Sequence, residues 1–262
     1  PGNLWFAEDG STPIIFIFSL KEGLPHLSYL FFVGVIGSVL FYTASKVIGF
    51  KAIRMADLSS IYPLVALGPI FTVFVAMVPP LSERPSLLAI LGVFVVLFGA
   101  YILNATSAKE GVLEPIKSLF KNKASFLMIV SVLIDSVVIV FDKLAINSTF
   151  PRNTTFTLLI ENLMVIFGLL PVLYLRNRNF SQQVYSNSKL FLILGGLNAI
   201  STILAFSAVG GGNVGLVATI LKTQILLVLL FSYLTFKDKP KLETLIGSVI
   251  MIVGAILIKV GS

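Results

Sequence analysis

The stretch ERPSLLAILGVFVVLFGA, Glu83–Ala100, is written again in outline as DKPKLETLIGSVIMIVGA, Asp238–Ala255, an offset of 155 positions. Each copy sets an acid, a base and a proline before an apolar run with glycines at matched places, Gly92/Gly247 and Gly99/Gly254. Sliding 55–103 onto 210–258 also aligns Ile70/Ile225, Val73/Val228, Pro85/Pro240, Leu87/Leu242 and Ala100/Ala255. One residue of slip extends the match upstream through Ser45/Ser201, Phe50/Phe206 and Ala52/Ala208. Apolar identities weigh little in so biased a composition; the proline and glycine matches weigh more, because they act on the backbone. Glycines seven apart lie about two turns apart on one helix face. Such a face permits close helix contact, within the chain or across a homodimer.

The chain is 56% hydrophobic and only 12% charged, where soluble domains carry about 25% charged residues. So much apolar surface needs lipid as solvent, and the lipid bilayer is the first partner implied. The net charge of +7 belongs to the loops of a membrane protein. No basic patch interleaved with aromatics stands in a polar segment, so no nucleic-acid partner is read. There are no cysteines and one histidine, His26, in the polar piece KEGLPH. Thiol chemistry and cysteine metal sites are excluded, and no metal or cofactor is expected. His26 reads as an interfacial residue. A membrane enzyme would need paired carboxylates with a histidine, a metal-ligand set or an activated serine; none is found, and the chain is not read as an enzyme.

A membrane-spanning helix needs about 20 mostly apolar residues. Eight such runs are predicted, at about 28–49, 57–78, 87–104, 124–146, 156–175, 189–209, 213–235 and 242–259. They lack the two-residue alternation of barrel strands. The longest polar connection, 105–123, falls between the two copies. The expected organisation is a first, incomplete repeat over 1–104 with three helices, a linker over 105–123 and a second repeat over 124–262 with five. From the Glu83 turn to the Asp238 turn the predicted chain crosses the membrane five times, an odd number, so the turns lie on opposite sides. The fold class expected is an all-α membrane protein, an inverted-repeat helical bundle with eight transmembrane helices present. Many secondary transporters are built this way, with the substrate site near the midplane where the repeats meet.

The run FKAIRMADLSSIYPLVALGPIFTVFVAMVPPLSERPSLLAILGVFVVLFGAYIL (50–103) resembles the end of an EamA domain of the drug/metabolite transporter superfamily. FDKLAI (141–146), VGGGNVGLVATILKTQILL (209–227) and FKDKPKLETLIGSVIMIVGAIL (236–257) together resemble the second EamA domain. The resemblance covers about 27–260 and rests on the order and duplication of these motifs. It implies ten helices in two inverted five-helix repeats that import or export a small metabolite. Residues 1–26 offer only TPIIFIFSL as apolar sequence, about half a span, and the chain opens on Pro1. An N-terminally truncated member, lacking one helix and part of another, is therefore expected.

Charges inside hydrocarbon are costly, about 2.5–3.5 kcal/mol on insertion scales, so they mark candidate site residues. Lys222 lies in the seventh span, Asp135 in the middle of the fourth and Glu161 in the fifth. The functional reading gives Lys222 an anionic substrate group and Asp135 or Glu161 a coupling proton. The alternative is a Glu161–Lys222 ion pair that only pins helices together; Asp135 shows no neighbour of opposite sign. Asp142, Lys143 and Lys46 are read as lying near span ends, where side chains snorkel. Ser45, Tyr62, Asn162, Asn198, Thr223 and Gln224 are uncharged lining candidates, each weighed against a role as interhelical hydrogen-bond glue. Pro63 and Pro69 are expected to kink the second span and leave a carbonyl near a cavity. Gly210–Gly212 reads as a flexible turn.

Loops on the side holding 50–56, 105–123, 176–188 and 236–241 carry most of the 19 Lys and Arg. The positive-inside rule puts that side in the cytoplasm and the C-terminus outside; the family resemblance implies both termini inside. The plasma membrane is the expected location.

Overall fold

The computed structural model describes residues 11–55, 62–105, 122–176, 188–236 and 242–262. The linker expected over 105–123 lies almost wholly outside them, as does the second acid-base-proline turn at Asp238–Pro240. The helices are α1 (Thr12–Glu22), α2 (Tyr29–Met55), a 3-10 segment (Tyr62–Leu67) continued by α3 (Gly68–Ala76), α4 (Leu87–Ala105), α5 (Lys123–Asn147), α6 (Thr154–Arg176), α7 (Ser188–Gly211), α8 (Val214–Lys222), α9 (Gln224–Phe236) and α10 (Leu242–Gly261). Five helical stretches are long and apolar enough to cross a membrane: Tyr29–Met55, Lys123–Asn147, Ile193–Gly211, Val214–Thr235 and Thr244–Gly261. Shorter apolar helices occupy Leu64–Ala76, Leu87–Ile102 and Thr154–Gly168, the remaining three places where the sequence predicts spans. Large apolar side chains such as Phe94, Phe98, Leu204, Phe231 and Ile256 stand exposed on them. Water does not tolerate apolar surface on this scale, and hydrocarbon does. The chain is an all-α membrane protein.

Close contacts divide the chain into two units, each drawing on both halves of the sequence: Pro1–Leu40 with Phe141–Gly211, and Phe41–Val140 with Gly212–Ser262.

In the first unit, the apolar TPIIFIFSL forms most of α1, with Pro13 in its first turn, where the missing N–H is no loss. Ile15 of α1 packs with Leu158 and Leu159 of α6 and Ala199 of α7. The first half of α2 lays Phe31 and Val35 on Ala145 of α5, with Phe156 and Ile160 of α6 alongside. Gly34 permits this approach, since a methyl group there would come 2.8 Å from the Ala145 side chain. A two-residue bridge, β1 (His26–Leu27) with β2 (Thr149–Phe150), is antiparallel with His26 opposite Phe150. Asn153 caps α6, its Oδ1 accepting from the Phe156 N–H at 2.8 Å, while its amide donates to the Gly23 carbonyl at 3.1 Å. Gly23 has φ of +80°, a conformation that glycine adopts without strain. Gly210, at the end of α7, offers its carbonyl to Arg152 at 2.7 Å, a cation at a helix C-terminus.

In the second unit, α4 and α10, the helices that carry the repeated glycines, pack against each other along their lengths. A methyl group on Gly92 would lie 2.8 Å from the Gly254 carbonyl oxygen, and one on Gly99 2.7 Å from that of Gly247. One on Gly261 would lie 2.5 Å from the Ala89 nitrogen. Partner numbers fall along α10 as they rise along α4, so the helices are antiparallel. The two copies of the motif thus begin at opposite ends of this pair, as an inverted repeat requires. Packing around this seam buries Val93, Val96, Leu97, Met251 and Ile258.

Candidate functional site

The second and seventh predicted spans are both broken. The 3-10 segment gives way to α-helix at Leu67–Gly68, and α8 ends at Lys222, with Thr223 as a turn before α9 starts at Gln224. The repeat offset of 155 carries Leu67 onto Lys222 and Gly68 onto Thr223, so the two interruptions are equivalent positions of the duplicated unit. Their causes differ. In the first copy Pro69 supplies no N–H to the carbonyl four residues back, that of Val65. In the second, the Thr223 N–H turns back to Ile220 at 2.9 Å, and its hydroxyl also donates to the Ile220 carbonyl, at 2.7 Å. On the first break, the Gly68 carbonyl accepts from Thr72 Oγ1 at 3.0 Å and from Ser136 Oγ at 3.1 Å. Hydroxyls that re-satisfy backbone are how broken helices persist in lipid.

The two breaks line one cavity, of about 260 Å³. Among the described residues, Val65 and Ala66 come from the first break and Lys222 and Gln224 from the second, with Ala100, Ile225 and Val228 beside them. The charged groups that act on the half-buried Lys222 are Asp135 and Lys46. Asp135 thus has the opposite charge that the sequence did not reveal. Lys46 is half-buried on α2, which continues to Met55, with its ammonium 4.7 Å from the Tyr42 ring centroid. Glu83, the acid of the first repeated turn, accepts from the Val214 N–H at 2.8 Å. It thereby caps the helix that carries Lys222 at its other end.

Ser45 is fully buried and bonded to Ser131: each hydroxyl donates to the other residue's carbonyl, at 3.1 and 3.0 Å, with the two oxygens 3.1 Å apart. Tyr62 is placed by its backbone alone, at the start of the 3-10 segment; its side chain lies outside the described set. Asn198, half-buried on α7, and Glu161 on α6 belong to the first unit. The charged group that acts on Glu161 is Asp142. Asp142 does not snorkel; it is 8% exposed, and its Oδ1 accepts a short hydrogen bond from Ser38. Asp142 shares a helical face with Val138 and Ala145, both buried. That spacing is legible in the sequence, but α5 is apolar on nearly every side, so no one face stands out.

The model of the EamA-like transporter family matches residues 122–260, more than half of the chain. The chain belongs to the EamA-like transporter family. It is therefore an integral membrane transporter of the drug/metabolite transporter superfamily, a family of carriers rather than of enzymes. A solved structure, titled only as the crystal structure of a protein, aligns over 100% of this chain and 90% of its own with a TM-score of 0.70. At 17% identity that likeness speaks to the fold alone. No curated protein matches the sequence. The EamA match takes in α5 to α10, and with them Lys222, Gln224, Asp135, Glu161 and Asn198.

Proposed function

We propose that this EamA-like protein is a secondary transporter that moves a small anionic or zwitterionic metabolite by alternating access, with proton exchange as the driving reaction. In this reading it crosses the plasma membrane eight times, with repeats over 1–104 and 124–262 joined by 105–123. The observation that carries it is the pair of equivalent helix breaks, one bearing Lys222, that line a single cavity. Interrupted helices at corresponding positions of two repeats are where secondary transporters hold substrate. A volume of about 260 Å³ falls just under the ~300–1,000 Å³ of drug-sized pockets, so it favours a solute of amino-acid size. One ammonium and one amide among aliphatic walls suit a carboxylate carried on an apolar body. Asp135, acting on Lys222, competes with a substrate anion for the same positive charge, which gives the site an internal occupant when it is empty.

Purified protein in proteoliposomes, loaded with candidate amino acids and short carboxylic acids, tests this by counterflow. Lys222→Ala is expected to lower exchange at least about tenfold, the loss of a charge-assisted contact of roughly 1.5–3 kcal/mol, while Lys222→Arg retains part of it. Exchange at the wild-type rate in Lys222→Ala removes the residue from the site. Uptake indifferent to an imposed pH gradient removes proton coupling.

A further inference from the structure

The first unit holds a second group of polar side chains, which the cavity at Lys222 does not use. Ser38 on α2 donates to Asp142 on α5, and Glu161 is buried on α6, whose neighbouring Phe156 and Ile160 pack with Ala145 of α5. Asp142 is 8% exposed and Glu161 6%. The Oε1 atom of Glu161 is sealed from solvent and has no hydrogen-bond partner among the described residues. An unpaired carboxylate oxygen in an apolar interior is costly, and two acids side by side raise that cost.

Asp142 is the charged group that acts on Glu161. In the first unit, the other titratable groups described on α1, α5, α7 and ahead of α6 are Lys21, Glu22, Lys143, Lys189 and Arg152. Lys21 and Glu22 end α1 and are exposed, with Glu22 taking the Thr155 hydroxyl at 2.8 Å. Lys189 is exposed near the start of α7. On α5, Lys143 follows Asp142 and is half-buried. Arg152, ahead of α6, is exposed and serves the Gly210 carbonyl.

We propose that Ser38, Asp142 and Glu161 form a binding site for one monovalent cation, a proton or Na⁺. Two carboxylates and a hydroxyl are hard oxygen donors, the set that suits hard cations. A divalent ion of the Ca²⁺ kind takes six to eight oxygens, and no group of three or more His, Cys, Asp or Glu residues gathers among the described residues. One added positive charge gives the sealed Glu161 oxygen a partner and halves the negative charge of the pair. The site deepens the coupling part of the transport reading by placing the ion in residues other than those of the Lys222 cavity. Its occupancy is measurable without transport, so the two readings fail separately.

The test is infrared difference spectroscopy on the purified full chain in lipid, in two arms. One arm steps pH in choline chloride; the other steps Na⁺ against choline at fixed pH. Wild type is expected to show a carboxyl change in one arm, pH for a proton or Na⁺ for the metal ion, and Glu161→Gln to lose it. Ser38→Ala keeps both carboxylates. It should retain the signal with its midpoint moved about two- to tenfold in cation concentration, the net worth of one hydrogen bond. Identical spectra for wild type and Glu161→Gln in both arms overturn the site. A Ser38→Ala midpoint equal to that of wild type overturns the three-residue arrangement, and that readout stands even if Glu161→Gln does not fold.

Discussion

Gly92 on α4 lies against the carbonyl of Gly254 on α10, and Gly99 lies against that of Gly247. Because Gly247 and Gly254 are the repeat counterparts of Gly92 and Gly99, the contact reads the same from either helix. Residue i of one copy meets residue j of the other and j meets i, the signature of a two-fold relation. Methyl groups at these positions have no room. Gly92→Ala and Gly99→Ala are each expected to lower stability by about 1–3 kcal/mol, the usual cost of overpacking, read as an earlier thermal transition in detergent. Gly168, on α6, has nothing among the described residues within 4 Å of the same methyl group. Gly168→Ala should lose nothing and gain up to about 1 kcal/mol of helix propensity. Equal behaviour of all three variants would mean that the glycine seam is not close.

Ser45 and Ser131 donate to each other's carbonyls, and Gly49 leaves the space that this needs, since a methyl group there would come 2.8 Å from Ser131 Oγ. Interhelical hydrogen bonds in membranes are worth about 0.6 kcal/mol on average and at most about 1.7 kcal/mol. Ser45→Ala and Ser131→Ala should each cost about that much. The double variant removes both hydrogen bonds and should cost about the sum of the two, less the share of the hydroxyl–hydroxyl contact that each single variant already loses. Exchange rates in proteoliposomes should stay at the wild-type level. A selective loss of exchange in Ser45→Ala, with stability intact, would return Ser45 to the substrate site.

The repeat and the positions of the apolar helices were legible because prolines, glycines and a 20-residue apolar length act through the backbone, whatever surrounds them. Lys222 and Gln224 were legible for a related reason, since charge and amide stand out against hydrocarbon. Partners were not. Asp135 and Lys222 are separated by most of the second repeat, and only folding brings their charges within reach of each other. The end of α2 was not legible, because Phe50, Ile53 and Met55 lie among Lys51 and Arg54, and the polar residues read as the end of a helix that continues to Met55. Proximity to a span end also suggests that Asp142 snorkels, yet it is buried and accepts from Ser38, a partner 104 residues away that no local pattern reveals.

Glu83 accepts from the Val214 N–H at 2.8 Å, a carboxylate at the positive end of α8, whose last residue is Lys222. Capping by a side chain is worth about 0.5–2 kcal/mol. Glu83→Gln keeps an acceptor and loses the charge, so it should cost less than Glu83→Ala. Both losses should appear as lower thermal stability, and Glu83→Ala should also reduce exchange, since α8 sets the position of Lys222 in the cavity. Stability of Glu83→Ala equal to that of wild type would show that water caps α8 as well as the acid does.

Pro69 opens α3 and withholds an N–H from the carbonyl of Val65, which lines the cavity with Lys222. Pro69→Ala restores that donor. The 3-10 segment and α3 can then join as one continuous helix, for which the penalty of proline, about 3 kcal/mol in a helix interior, no longer applies. The thermal transition is expected to stay or rise, and counterflow to fall severalfold, because a continuous helix moves Val65 and Ala66, which line the cavity. Stability gained while activity is lost is the usual trade at a strained functional position. Pro13→Ala is the control: Pro13 lies in the first turn of α1, where no intrahelical bond is restored, so neither quantity should move. Wild-type counterflow in Pro69→Ala would mean that the break in the second span is an accident of packing, and that Lys222 works without its counterpart.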